Sequence, residues 1–357
     1  MENKKTVSRR NFIRNTSLSL GAGLAAASMP SCNAGEGPDQ KKLPGEIVVA
    51  SVDLKGLWPD TSRESRIGKI MARMEQVAGI HPDIICLPEL FDTIWVSENY
   101  KMSEVAEDEK DPGPVTRRIA EFALKHNCYI VCPVYTRKDG HYYNSSLLID
   151  RKGHIAGAYN KIHPVKSEIL PQSITDDVGI RPGAKDQPLI ETDFGKAGMQ
   201  ICYDANWFDG WDNCRKQGAD IIFFSSAFPG GRILNYHALR CGCYIISSTG
   251  GDARIIDMSG NDLASSSTFI RYVWAGISFN KVCTSTWPTN QKLPDILKKY
   301  GSRLDITVWD NTSNITIASL DKSIKAEDVV KEFGLLTVDE NIAASEEVQI
   351  KYRPKTN

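Results

Sequence analysis

Gly198-Met199-Gln200-Ile201-Cys202-Tyr203-Asp204 reads as a buried strand that ends on a cysteine. The strand is expected over Lys196 to Cys202, and a helix over Trp207 to Gln217, ending at Gly218. A cysteine at such a strand-to-helix elbow is exposed, and backbone N–H groups point at its sulfur. That is how a hydrolase presents a nucleophile beside an oxyanion hole. Taken alone, the same cysteine also reads as a buried apolar residue, since cysteine is among the most buried types.

Working outward, strands and helices alternate. Ile221–Ser225 and Tyr244–Ser248 are short apolar runs of strand length, with a helix between them over Ile233–Gly242. Further strands are expected over Arg254–Asp257, Ser265–Ile270 and Asn314–Leu320, and a helix over Ala326–Phe333. Upstream, Glu46–Val52 and Asp83–Leu87 read as buried strands, and Tyr129–Tyr135 as another. Ser65–Ala78 and Val115–His126 carry apolar residues at helical spacing. Asn144–Asp150 and His154–Tyr159 form a hairpin across Lys152-Gly153. Alternation of this kind means an α/β protein, and the hairpin makes its sheets mixed.

Two other words stand at strand ends, where active sites of α/β sheets gather. Leu87-Pro88-Glu89-Leu90-Phe91 delivers a carboxylate just where Pro88 turns the chain out. Tyr159-Asn160-Lys161-Ile162-His163 delivers a lysine flanked by Tyr159, Ile162 and Pro164, where it can act as a fixed positive charge. Read singly, Glu89 is a surface residue in a turn and Lys161 a solvated lysine. Read together, Glu89, Lys161 and Cys202 follow one another at spacings of 72 and 41 residues.

In that order and context the chain resembles the nitrilase, or carbon–nitrogen hydrolase, superfamily. The likeness extends through Tyr143-Asn144-Ser145-Ser146, Gly218-Ala219-Asp220-Ile221-Ile222, Ser226-Ala227-Phe228 and His237-Ala238-Leu239-Arg240. It covers roughly Glu46 to Ile270, with a looser match near Ile315 to Phe333. The resemblance implies a four-layer α-β-β-α sandwich whose subunits pair into a homodimer or higher homo-oligomer. It implies Cys202 as nucleophile and Glu89 as general base, with Lys161 and the backbone N–H of Tyr203 stabilising the oxyanion. Glu168, seven residues after Lys161, is the candidate for the second glutamate found in many members, and a solvated lid charge is the other reading. Lys166 to Asp186 reads as a loop over the pocket mouth. Trp207 and Phe228 sit where the family lines its substrate pocket, and both also fit as core aromatics. Tyr203-Asp204 stands where nitrilases proper often have Trp-Glu, which leans toward an amide or N-carbamoyl substrate. The family needs no metal and no organic cofactor. Nitrile hydrolysis and a non-catalytic binding protein on the same fold are the alternatives. A papain-like enzyme would need a partnered histidine, and none of the six histidines sits in a recognisable motif.

The 357 residues divide into an export signal and linker (1–45), a hydrolase domain (46–335) and a tail (336–357). Ser8-Arg9-Arg10-Asn11-Phe12-Ile13 before an apolar stretch from Leu18 to about Met29 resembles a twin-arginine export signal. That stretch is too short to span a bilayer. The expected location is the periplasm, with no transmembrane helix in the mature chain and Cys32 as a candidate lipid anchor. A net charge of −1 argues against nucleic acid and anionic membrane as partners. The expected partner is a small amide-type molecule. Nine cysteines in a chain of this length read mostly as small buried hydrophobes, with few disulfides.

Overall fold

A strand with no polar face must be covered on both sides, and this requirement sets the layers. The computed structural model describes residues 45–170 and 178–354, which fall in one unit. Strands β1 (Glu46–Val52), β2 (Ile84–Cys86), β3 (Glu107–Asp108), β4 (Tyr129–Lys138), β5 (His141–Ile149) and β6 (Ile155–Asn160) belong to a first sheet. A second contains β7 (Ile190–Glu191), β8 (Lys196–Ile201), β9 (Ile221–Ser225), β10 (Tyr244–Ser248), β11 (Ala253–Ile256) and β12 (Asp262–Ser265). Strand β13 (Tyr272–Ser278) returns to the first sheet, antiparallel to β1. Strands β14 (Lys281–Ser285), β15 (Leu304–Trp309) and β16 (Asn314–Ser319) form a small third sheet. The helices are α1 (Arg63–Ala78), α2 (Met102–Val105), α3 (Pro114–His126), α4 (Lys166–Ile169), α5 (Asp209–Lys216), α6 (Gly231–Cys241), α7 (Thr286–Tyr300), α8 (Ala326–Glu332) and α9 (Val338–Tyr352).

The first sheet runs β13-β1-β2-β4-β5-β6 and the second β12-β11-β10-β9-β8-β7. Each is parallel at its centre and antiparallel at its flanks. Alternate residues of each strand face opposite ways. Val49, Ile84 and Val131 of one sheet therefore meet Met199, Phe223 and Ile246 of the other. The intervening residues Ala50, Ile85 and Ile130 pack on α1 and α3 through Ile70, Met74, Ile119 and Phe122. On the far side, Ile222, Phe224 and Ile245 pack on α5 and α6 through Trp211, Leu234 and Ala238. The order is α-β-β-α, the expected four layers. Serines at strand ends tie the two sheets: Ser225 Oγ donates to the Leu87 carbonyl and Ser51 Oγ to that of Ser247, both at 2.8 Å. These bonds satisfy buried hydroxyls and hold the C-terminal ends of β2 and β9 together.

Several expectations change. The strand expected over Ser265–Ile270 ends at Ser265, because Ser267 Oγ takes the N–H groups of Phe269 and Ile270 and makes a local turn instead of a ladder. Strand β13 and the segments β14, α7 and β15 had no clear signal, since they are short or half exposed; α7 also contains Pro294. The helix expected from Trp207 starts at Asp209, after a 3-10 turn over Cys202–Asn206. The tail 336–357 contains α9, which buries none of its residues; a Thr337–Glu340 capping box opens it, and Asp339 pairs with Arg215 at 3.0 Å. The paired arginines Arg9 and Arg10, the apolar stretch 18–29 and Cys32 lie outside the described residues, as do 171–177 of the expected mouth loop. Among the described residues no helix is long and apolar enough to cross a membrane. The eight described cysteines are all free, and seven are buried.

Phe223 is 1 % exposed at the centre of the inter-sheet layer. Phe223→Ala is expected to lower the unfolding free energy by about 3–5 kcal/mol, whereas Leu263→Ala on the exposed β12 changes it by under about 0.5 kcal/mol. Denaturant unfolding of both variants checks the layer assignment, and equal small losses would contradict it.

Candidate functional site

Three strand ends converge. β2 runs into Pro88-Glu89, β6 into Lys161, and β8 into Cys202. The last turn is sharp: Cys202 has φ 47°, in the left-handed region that side chains rarely adopt, and Leu90, directly after Glu89, has φ 44°. Such conformations cost about 1–3 kcal/mol each and cluster at functional sites. Both flank the same cavity of about 490 Å³, whose walls include Glu89, Lys161, Glu168, Cys202, Tyr203 and Phe228.

Glu89 is 2 % exposed and fully engaged. Its Oε1 accepts from Lys161 Nζ and from Asn144 Nδ2, each at 2.8 Å, and its Oε2 accepts from the Ala227 N–H at 2.8 Å. Lys161, equally buried, also donates to Glu168 Oε2 at 2.9 Å and Oε1 at 3.1 Å. Glu168 is held in turn by the Val165 N–H at 2.7 Å and Asn144 Nδ2 at 3.1 Å. One ammonium thus lies between two carboxylates, and the amide of Asn144 bridges the same pair. Burial alone would depress the Lys161 ammonium; Glu89 and Glu168 outweigh it and hold the group above the ordinary lysine range. Burial pushes the Cys202 thiol up to about 12; Glu89 adds to the rise, and Lys161 and a hydrogen bond with Ser226 oppose it only in part. The thiol is therefore neutral at physiological pH.

Asp204 clasps two of the strand ends together. Its Oδ2 accepts from the Tyr159 hydroxyl at 2.8 Å and the Ile201 N–H at 2.9 Å. Its Oδ1 accepts from the His163 N–H at 2.7 Å and lies 3.1 Å from His163 Nδ1. The residues on either side of Lys161 are thereby fixed to the residues on either side of Cys202. Gly250, beyond β10, lets the chain pass under Ala227: a side chain there would collide with the Ala227 carbonyl and the Trp95 ring. That approach seats the N–H which holds Glu89.

Glu89, Lys161, Cys202, Glu168, Tyr203 and Phe228 all reach the cavity, with Phe228 at its mouth. Trp207 is not among the lining residues; it stacks on His163, ring centroids 4.3 Å apart. Asp204, of the Tyr203-Asp204 pair, is also absent from the wall. Of the expected mouth loop, Lys166–Ile169 is instead one helical turn, α4, which presents Glu168 to Lys161. Asn144, Ser226 and the clasp role of Asp204 had been given no part. The words around Lys161 and Cys202 contain Tyr159, His163 and Asp204, but nothing in their spacing says that they bond one another. His163 is taken by Asp204 and His237 stacks on Trp211 at 4.1 Å; the side chains that act on the thiol are Glu89, Lys161 and Ser226.

A family model described as carbon-nitrogen hydrolase matches residues 48–282, well over half of the chain. An omega-amidase of Saccharomyces cerevisiae is 26% identical over 195 residues, covering 53% of this chain and 66% of that protein. A nitrilase and fragile histidine triad fusion protein of Caenorhabditis elegans is 26% identical over 227 residues, 57% of this chain and 50% of that one. A deaminated glutathione amidase of Dictyostelium discoideum is 23% identical over 274 residues, 68% of this chain and 94% of that one. The chain spans about half to two thirds of the length of the first two. Among solved structures, a yeast member of branch 10 of the nitrilase superfamily superposes with TM-score 0.56 at 18% identity, covering 66% of this chain and 91% of that one. The Caenorhabditis elegans fusion protein gives TM-score 0.55 at 16% identity, covering 82% and 98%. These likenesses show the fold.

A free cysteine ionises near pH 8.5. With Cys202 pushed up to about 12, the ultraviolet thiolate absorbance of the protein minus that of Cys202→Ala is expected to stay flat from about pH 6 to about pH 10. A thiolate step near pH 8 in that difference would contradict the assigned protonation state. Asp204→Asn removes the clasp's charge without its bulk; at least about a tenfold loss of turnover is expected, with native circular dichroism. Unchanged turnover would mean that the strand ends are held by other contacts.

Proposed function

Because the chain belongs to the carbon–nitrogen hydrolase family, we propose that it hydrolyses the C–N bond of a small amide or N-carbamoyl compound through a thioester on Cys202. The observation that carries the reading is the Glu89 carboxylate, buried between the Lys161 ammonium and the Cys202 thiol. A neutral thiol is a poor nucleophile and must lose its proton as it attacks. Glu89 is the base in place to take it.

The sequence of steps follows from the charges. Cys202 Sγ bonds to the carbonyl carbon, the C=O π pair moves onto oxygen, and the thiol proton passes to Glu89. The oxyanion is met by Lys161 Nζ and the Tyr203 backbone N–H. As Glu89 becomes neutral its hold on Lys161 weakens, which frees an N–H of the ammonium at the moment when negative charge develops on the substrate. Collapse breaks the C–N bond, and the nitrogen takes the proton from Glu89 and leaves as ammonia or an amine. Water then adds to the thioester carbon while Glu89 takes its proton. Breaking of the C–S bond returns that proton to sulfur and releases the acid. Glu168 keeps Lys161 aimed into the cavity throughout.

Loss of the base is expected to reduce turnover by about 10²–10⁴-fold. Glu89→Gln preserves shape and removes basicity, so ammonia release from amides should fall by that factor while the fold is retained; Cys202→Ala should abolish it. Near-wild-type ammonia release by Glu89→Gln would remove the proposed base. A protein that binds amides and releases no ammonia would be a binding protein on this fold.

A further inference from the structure

We infer that the cavity takes an uncharged amide of an apolar acid and excludes amides that carry a free carboxylate. The inference rests on the hydrolase reading and narrows its substrate class.

Among the described residues, the charged members of the wall are Glu89, Glu168 and Lys161. The ammonium is already hydrogen-bonded to both carboxylates, so the site carries one negative charge in excess. Segment 171–177, Pro-Gln-Ser-Ile-Thr-Asp-Asp, contains no Lys, Arg or His, so it brings no cation whatever its placement. Lys166 and Arg232 adjoin wall residues in sequence, but both are exposed and neither lines the cavity. The rest of the wall is chiefly apolar, including Leu90, Ile94, Val165, Phe224, Phe228 and Ile233, and its neutral polar side chains are Tyr135, Tyr203, Asn206 and Ser226. A substrate carboxylate would lose its water here, find no unpaired cation among the described wall residues, and face two carboxylates of like sign. Neutral donors do not offset that like charge.

The mouth extends the apolar surface. Phe228, 62 % exposed, meets Trp95 edge-on at 5.6 Å, and Trp95 lies 5.1 Å from Trp58, itself 49 % exposed. This aromatic ledge, continuous with a cavity of about 490 Å³, suits a branched or ring-bearing acyl group rather than a two-carbon one.

The test is a matched pair of substrates with the same shape: 4-methylpentanamide, ending in an isopropyl group, and succinamate, ending in a carboxylate. Ammonia release is followed for wild type, Cys202→Ala and Ile233→Arg. The kcat/KM for 4-methylpentanamide is expected to exceed that for succinamate by at least about 100-fold. Ile233→Arg, which puts a cation on the half-buried wall, should narrow that ratio by at least about tenfold. Cys202-dependent release from succinamate within about tenfold of the neutral amide overturns the inference and leaves the hydrolase reading standing. No Cys202-dependent release from these two amides, from phenylacetamide or from an N-carbamoyl amino acid overturns both.

Discussion

One buried ammonium, Lys161 Nζ, lies between the carboxylates of Glu89 and Glu168, and the rest of the site depends on that contact. Two buried carboxylates that are both charged need a cation between them, and an unpaired buried charge costs several kcal/mol. The same arrangement decides the chemistry. Burial keeps the Cys202 sulfur protonated, and the Glu89 carboxylate adds to that effect. In the proposed reaction the same carboxylate takes the proton during attack.

Geometry of this accuracy needs strand ends that do not drift. The two sheets share a layer of side chains between them, and hydroxyls at the ends of β1, β9 and β10 bond carbonyls of the opposite sheet. Asp204 then fastens the Lys161 word to the Cys202 word. The left-handed backbone at Cys202 is the local strain that these contacts hold in place.

The layers were legible because strands such as Ile221–Ser225 and Tyr244–Ser248 are apolar throughout, and such runs must be buried on both faces. The convergence of Glu89, Lys161 and Cys202 on one cavity was legible because each stands where a strand ends, beside a proline or a turn. What was hidden depended on contacts between distant segments. Asn144 bridges Glu89 and Glu168 from 55 and 24 residues away, and no local pattern marks it. Trp207 stands near Cys202 in sequence, yet its ring stacks on His163 and does not line the cavity. Strands β13 and β15 are half exposed, so their composition resembles loop. The helix α9 arises from its cap and its backbone bonds rather than from a buried face, so no apolar stripe announces it.

The central claim is that carbon–nitrogen cleavage passes through an acyl group on Cys202, formed with the help of Glu89. Rapid-quench intact-mass measurement with peptide mapping, during turnover of 4-methylpentanamide, tests it most directly. The account predicts one acyl group on the Cys202 peptide, appearing with the first equivalent of ammonia and decaying as the acid is released, and scarcely forming in Glu89→Gln. Ammonia release at full rate with no acyl group on Cys202, or with the group on another residue, would contradict it.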